Sequence, residues 1–358
     1  MQGAGCKVLT AERVKQRARE EGFDLCGIAP AEAFPELRFL REWLDRGYAG
    51  EMQYMTRTAA RRADVRAMLG SARSVVMLGV VYNVERPYSV ERADPREAKI
   101  ARYAWGDDYH DVIRARLDRL TAWMKAASGG GFEAKAHVDT GPVQERVYAQ
   151  HAGLGWIGKN TCLINPELGS WLFLAAIVSN VPLEPDAPAL DRCGTCTLCL
   201  DACPTGALVD PRVLDATRCL SYLTIELRGS IPEGLRQDVG AHVFGCDICQ
   251  DVCPWNLTPA TGRSEAATWL PRPAFDGARA LDLWRRSDEA LQTLLEGSAL
   301  ARAGLRGLRR NLAVALGNSG DGAALAALND QFEAPSAADP LVAEHVAWAR
   351  ARLDAARD

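Results

Sequence analysis

Eight of the chain's eleven cysteines fall between residues 193 and 253, a density that points to metal or redox chemistry. The first run is Cys193-x2-Cys196-x2-Cys199-x3-Cys203-Pro204. With this spacing bacterial two-cluster ferredoxins give three thiolates to one [4Fe–4S] cubane and the fourth to the other. A zinc site needs only four ligands and has no use for three tight intervals followed by Cys-Pro. The second run, Cys246-x2-Cys249-x3-Cys253-Pro254, is one cysteine short, because Val243 stands where its first should be.

Ligand arithmetic fills the gap. If Cys253 crosses to the first cluster, that cluster has Cys193, Cys196, Cys199 and Cys253. If Cys203 crosses to the second, Cys203, Cys246 and Cys249 still lack a fourth ligand, and Cys219 is the cysteine left in the block. The alternative for Cys219, a buried apolar residue, leaves that cluster incomplete. Cys6, Cys26 and Cys162 are left over as unpaired thiols. Two four-iron clusters form a one-electron wire at low potential, and a wire must end at a group that does chemistry.

The stretch GLGWIGKN (153–160) reads as G-x-G-x-x-G, the phosphate-cradling turn of dinucleotide-binding folds. Its context excludes that use. A strand should lead into it, but VQERVYAQHA has helical spacing; a helix should leave it, but Asn-Pro and Gly follow. Glu184 comes too late for the ribose-binding carboxylate. The glycines must serve another close approach.

The elements that position these groups are mixed. Residues 10–22 form a helix with a Thr cap and a Gly stop, and 35–47 a helix with Pro at its start. SVVMLGVVY (74–82), FEAKAHVD and WLFLAAIVS (171–179) read as strands, with a long amphipathic stretch from about 96 to 127 between the first two. Helices and strands do not alternate as βαβ units do, so the expected class is α+β. A proline-rich segment, 181–193, leads into the cysteine block, and short Ala/Leu helices follow it, suggesting HEAT-like repeats.

Hydrophobic residues make up 48% and charged residues 25% of the 358, the balance of a globular protein of two or three domains. The start has no apolar stretch and no run is long enough to span a membrane, so the expected location is the cytoplasm. A net charge of −4 confines any nucleic-acid surface to local patches. Residues 57–73 carry five arginines against Asp64, and 302–310 carry Arg302, Arg306, Arg309 and Arg310 with no acid. For either run alone, a solvated helix face is the competing reading.

In order, RYAWGDDYHD, HVDTGPVQERVYAQHAGLGWIGKN, GSWLFLA, CGTCTLCLDACPTGAL, RCLSYLTIE and GCDICQDVCPWN resemble the epoxyqueuosine reductase family, from about residue 10 to about 320. Cys219 is part of that pattern. The resemblance implies a nitroreductase-like cobalamin-binding domain (1–185), a ferredoxin-like domain with two [4Fe–4S] clusters (186–257) and a HEAT-like helical domain facing tRNA (258–358). It implies reduction of epoxyqueuosine to queuosine in the tRNA anticodon loop, a two-electron deoxygenation of an epoxide through cobalamin in its Co(I) state. An external ferredoxin, flavodoxin or flavoprotein would supply electrons to a monomeric enzyme.

Asp108-Tyr109-His110 begins the string D-x-H-x-x-G of proteins that place a histidine below cobalt, but Ile113 stands where Gly should be. The family binds cobalamin without that ligand. Its pattern makes Asp139 the acid that protonates the leaving oxygen, with a pKa that an apolar corrin face would raise. The competing role for Asp139 is an N-cap for the helix that follows. GLGWIGKN would line the corrin pocket, with Lys159 and Asn160 donating to corrin amides, or else be a tight turn for packing. Arg62, Tyr103, Asp139, Ser221, Cys246 and Asp247 are the other expected corrin contacts, and Arg302, Arg306, Arg309 and Arg310 the tRNA contacts. Other readings are a reductive dehalogenase-like reductase of a small molecule, a pure electron carrier, and a non-catalytic tRNA-binding protein. The carrier leaves the N-terminal half unexplained, and the binding protein leaves the thiolates unexplained.

Overall fold

The strand Ser74–Val81 is buried at every position, which requires both of its faces to be covered. In the computed structural model, which describes residues 9–258, 261–330, 336 and 339–356, it is an inner strand of a four-stranded antiparallel sheet. The order is Leu25–Pro30, Ser74–Val81, Leu172–Ser179, Ala134–Val138. The helix Glu145–His151 packs on one face, where Val147, Tyr148 and Ala149 meet Val75, Met77, Ala176 and Val178. The helix Tyr109–Ala127 buries Ile113, Leu117, Leu120 and Met124 at three- and four-residue spacing and packs on the two strands furthest along the order. The helix Ala11–Glu20 begins at Thr10, whose hydroxyl accepts from the Arg13 amide, and Gly22 (φ 85°) takes the left-handed turn beyond its end.

The expected strands at 74–82 and 171–179 are present, as is that within FEAKAHVD, and the mixture of helices with an antiparallel sheet matches the α+β expectation. The stretch 96–127 is not one element. Lys99–Ile100 pairs in parallel with His242–Phe244, and the helix begins only at Tyr109. Gly106 interrupts it, since a Cβ there would lie 1.9 Å from the Thr268 carbonyl oxygen. Cys6 lies outside the described residues, and neither Cys26 nor Cys162 is in a disulfide. No described helix is long and apolar enough to cross a membrane.

Packing divides the chain into two units, one of residues 1–83, 109–196 and 254–263, the other of 84–108, 197–253 and 264–358. These are not the three consecutive segments expected from the sequence. The helix Gly304–Asn318 explains the difference, because it is buried around its whole circumference from Leu308 to Gly317. It is the hub of the second unit, packed by the helices Ala280–Trp284, Asp288–Leu295 and Pro340–Ala355 and by Leu220–Ile225 and Glu233–Val239 of the cysteine block.

The glycines of GLGWIGKN enter the two-stranded hairpin of Trp156–Ile157 with Leu163–Ile164. A Cβ on Gly155 would lie 2.2 Å from the Ile164 carbonyl oxygen, and one on Gly158 would lie 2.5 Å from the Ile164 side chain. Backbone cannot yield as a side-chain tip can. Gly155→Ala is expected to destabilise the protein by about 3 kcal/mol and lower its thermal midpoint by several degrees, with or without cofactors. A midpoint unchanged in calorimetry would mean that the hairpin has room there.

Candidate active site and cluster ligands

The strand Ala134–Val138 ends at buried Val138, and Asp139 then turns the chain with φ 54°, a left-handed conformation that costs an L-residue about 1–2 kcal/mol. Gly141 permits the turn to fold back, since a Cβ there would lie 2.3 Å from the His137 ring. The Asp139 amide donates to Glu145 Oε1 at 3.0 Å. Its carboxylate Oδ2 accepts from the Tyr109 hydroxyl at 2.9 Å, with His110 Nε2 at 3.6 Å. Tyr109 is fixed in turn, stacked on Phe173 with ring centroids 4.4 Å apart. The turn is thus braced at its amide and at its carboxylate.

The Asp139 side chain is 62% exposed, although protein atoms crowd it on the other sides. That crowding pushes its pKa up, but the bonds from His110 and Tyr109 and the charge of Arg146 outweigh it, leaving the carboxyl below its ordinary range. The N-cap role is absent: the helix Glu145–His151 starts from Gln144, and Asp139 lies well before it. Glu145 behaves oppositely. Desolvation and the Asp139 charge push it up to about 8, against the opposing bond from the Asp139 amide and the charges of Arg146 and Arg62.

Arg62 donates to the Val143 carbonyl at 3.1 Å and to the Thr58 hydroxyl at 3.0 Å, and Gln144 donates to the carbonyls of Leu37 and Arg62. Both hold the segment entering the helix. Lys159, expected to reach a corrin amide, instead donates to the carbonyls of Gly194 and Cys196 at 2.8 and 2.9 Å. Asn160 is 3% exposed, and its Oδ1 accepts from the Cys162 amide. Trp156 Nε1 points at Cys193 Sγ, 3.4 Å away. Within GLGWIGKN, Lys159 thus serves the Cys193–Cys196 loop, and the Asn160 oxygen serves its own hairpin.

In the second unit the helices Leu198–Asp201 and Ile248–Asp251, each opening beside a cysteine run, pack on one another. Burial raises the Cys246 thiol well above its ordinary value; Cys219 and Cys203 are close enough to oppose its ionisation further, while the Ile248 amide favours it. Burial likewise raises Cys219, whose sulfur receives the amides of Tyr222 and Ser221 and the Ser221 hydroxyl. Cys203 Sγ accepts from the Ala207 amide at 3.3 Å. Three neighbouring thiols, each with N–H donors on its sulfur, match what the cationic core of an iron–sulfur cluster needs. Among the described residues no three His, Cys, Asp or Glu side chains close on a single-ion position, and thiolates that each bind a different iron stand further apart.

Asp247 and Tyr103 have other partners. The Asp247 carboxylate is buried, accepts the Arg102 amide at 2.6 Å, and is pushed up by burial and by Asp251. Arg102 is itself buried, donating to the carbonyls of Val84, Arg86 and Pro87. Tyr103 lies against Phe244 with ring centroids 6.0 Å apart.

The arginine run divides. Arg302 and Arg306 are 52% and 54% exposed and paired with Glu226 and Asp339. Arg309 and Arg310 are each 1% exposed, which corrects the expectation that they meet phosphates. Arg309 binds Asp288 and the carbonyls of Trp284 and Arg286. Arg310 donates to the carbonyls of Leu223, Leu227 and Gly229, and Asn311 to those of Thr224 and Val243. The Thr224 hydroxyl in turn accepts the Gly245 amide. This network clamps the helix Leu220–Ile225, which starts from Cys219, to the strand His242–Phe244, which runs into Cys246. Sequence reasoning missed it, although an Arg-Asn pair within an apolar helical run was a visible sign of a buried polar clamp.

Comparison with known proteins agrees with the sequence reading. A family model described as "4Fe-4S double cluster binding domain" matches residues 192–256, and one described as "Epoxyqueuosine reductase QueG, DUF1730" matches 62–140. Epoxyqueuosine reductase of Gloeobacter violaceus is 46% identical over 322 residues, covering 88% of this chain and 99% of the relative. A crystal structure of epoxyqueuosine reductase with an epoxyqueuosine-modified tRNA-Tyr stem loop superposes with a TM-score of 0.85 at 32% identity, covering 96% of this chain and 89% of that one. A Bacillus subtilis epoxyqueuosine reductase structure, in which an aspartate-bearing catalytic loop is swung out of the active site, superposes at 0.83 and 31% identity, covering 96% and 90%.

Asn311→Leu leaves two buried carbonyls without their donor, which costs about 1–3 kcal/mol for each. The thermal midpoint should fall and iron per chain should drop, because Cys219 and Cys246 lose a common anchor. Unaltered iron content in a folded Asn311→Leu protein would show that the clamp does not support the ligands.

Proposed function

This chain belongs to the epoxyqueuosine reductase family, and from that membership we propose that it reduces epoxyqueuosine to queuosine in the anticodon loop of tRNA. The observation that carries the mechanism is Asp139, an exposed carboxylate in a braced left-handed turn within the segment that the reductase model matches. At 46% identity over nearly the whole relative, this reading displaces the dehalogenase-like alternative. As functional regions rather than packing units, the proposed division is 1–185 for cobalamin binding in a nitroreductase-like domain, 186–257 for the ferredoxin-like part, and 258–358 for HEAT-like helices.

Deoxygenation of the epoxide consumes two electrons and two protons and leaves an alkene and water. Cobalamin, when bound, supplies a cobalt centre that reduction makes strongly nucleophilic toward an epoxide carbon, and the clusters pass it electrons singly. Cys193, Cys196, Cys199 and Cys253 would hold one cluster, and Cys203, Cys219, Cys246 and Cys249 the other. The residues present fit cobalamin without a histidine below cobalt, since His110 is aimed at the Asp139 carboxylate. Arg62, Tyr103, Ser221, Cys246 and Asp247 would contribute to the corrin surroundings. Asn160 would contribute with them, while Lys159 is held by the carbonyls of Gly194 and Cys196 instead.

Asp139 would hold the proton for the leaving oxygen. Its hydrogen bonds favour the anion, so proton uptake would require the substrate to cover the exposed face and exclude water, which raises a carboxyl pKa. Tyr109 and His110 then orient the carboxyl group. Arg302 and Arg306 would meet tRNA phosphates, exchanging Glu226 and Asp339 for them, so binding should weaken with salt. A low-potential ferredoxin, flavodoxin or flavoprotein would feed the clusters of a monomeric, cytoplasmic enzyme.

Asp139→Asn keeps the shape and removes the proton, so turnover should fall by roughly a hundredfold or more while cobalamin and iron contents stay at wild-type levels. Near-normal turnover would remove Asp139 from the mechanism; loss of cobalamin would make its role one of binding. Cys219→Ser should lower iron from about eight per chain toward that of a single cluster. Unchanged iron would refute its place as a ligand.

A further inference from the structure

Glu145 has no part in the reaction as described, yet its carboxyl group accepts the amide of the residue that does the chemistry. We propose that Glu145 is a positioning residue, a latch that holds the Asp139 turn in its working conformation by accepting the Asp139 N–H across the loop. The inference rests on the reading of Asp139 as the proton donor and adds the device that keeps it in place.

Three observations support it. Asp139 occupies a left-handed conformation that no glycine relieves, so some bond must select it over the extended alternative. The far end of the loop is fixed independently, through Arg62 to the Val143 carbonyl and Gln144 to the carbonyls of Leu37 and Arg62. Glu145 opens a helix anchored in the core by Val147, Tyr148 and Ala149, so its reach is measured from a rigid base. A catalytic aspartate loop that swings out in the Bacillus subtilis reductase is the kind of element that needs a catch.

The surroundings make the latch sensitive to pH. Asp139 from the loop, Arg146 from the same helix, Arg62 from the helix Gln53–Arg62, and His110 and Tyr109 on the far side of Asp139 are the charged and titratable groups around it. With its pKa at about 8, Glu145 is neutral beside the Asp139 anion at neutral pH. A carboxyl group raised in this way favours the closed turn most at acidic pH, and that preference is lost as pH rises through about 8, where two adjacent anions repel. Arg62 and Arg146 soften the repulsion without cancelling it.

The test is hydrogen exchange of the peptide spanning 138–144, followed by mass spectrometry in the cluster- and cobalamin-loaded full chain on both sides of pH 8. Turnover of an epoxyqueuosine stem-loop is measured in parallel. In the wild type, protection beyond the intrinsic pH dependence of exchange should decline as pH rises from the ordinary carboxyl range toward about 8 and level off above it. Glu145→Ala should lose protection at every pH and lower kcat about tenfold, with KM for the stem-loop and iron and cobalamin contents retained. Glu145→Gln keeps an oxygen acceptor and cannot ionise, so it should restore protection, abolish its alkaline loss and recover most of kcat. Undiminished protection in Glu145→Ala overturns the latch, and so does a Glu145→Gln protein as unprotected as Glu145→Ala. Exchange reads the latch without turnover, so it can fail while Asp139→Asn still abolishes activity, and it can succeed if Asp139 proves dispensable.

Discussion

Two neighbouring side chains, Arg310 and Asn311, satisfy five backbone carbonyls, and the second unit depends on them. The carbonyls belong to the segment between Leu223 and Gly229 and to Val243, which follow Cys219 and precede Cys246 in the chain. A cluster cannot form unless thiolates far apart in sequence arrive together, and loop closure alone opposes that arrival. A buried guanidinium with its donors paired to carbonyls resolves two problems at once: it cancels the desolvation of the peptide groups and fixes their spacing. The C-terminal helices are therefore part of the scaffold of the electron path.

The same logic governs the Asp139 turn. Its strained backbone is held by an amide bond to Glu145, and its carboxylate by Tyr109 and His110 from the helix that covers the sheet. A carboxylate stabilised by hydrogen bonds is a poor acid in water. On the proposed reading, a substrate that excludes solvent changes the balance, so that the proton would be acquired where it is used. The open face and the firm turn thus divide the work between substrate and protein.

Much of this was legible in the sequence because it depends on spacing. Cysteine intervals carried the double-cluster block that the family model matches over residues 192–256, and β-branched runs such as 74–81 and 172–179 carried the sheet. What failed had a common cause. Arg309, Arg310 and Lys159 are polar residues read as facing ligands, and their side chains are spent on the protein's own backbone or buried against it. Sequence records that a residue can donate, not to what. The bonds that hold the Asp139 carboxyl below its ordinary range were invisible for the same reason, since Tyr109 lies 30 residues away and enters only through the packing of its helix. Interleaving of the two units was likewise invisible, because it depends on which helix Gly304–Asn318 chooses to bury itself against.

The central claim is that this chain removes oxygen from epoxyqueuosine by delivering electrons from its clusters through cobalamin. The most direct measurement is an anaerobic single turnover of the reduced, cluster-loaded protein on an epoxyqueuosine stem-loop, with and without cobalamin, the nucleoside being identified by mass. The account predicts queuosine, one oxygen lighter, only when cobalamin is present, in an amount matched by the electrons lost from the clusters. Queuosine formed without cobalamin, or none formed by the fully loaded protein, would contradict it.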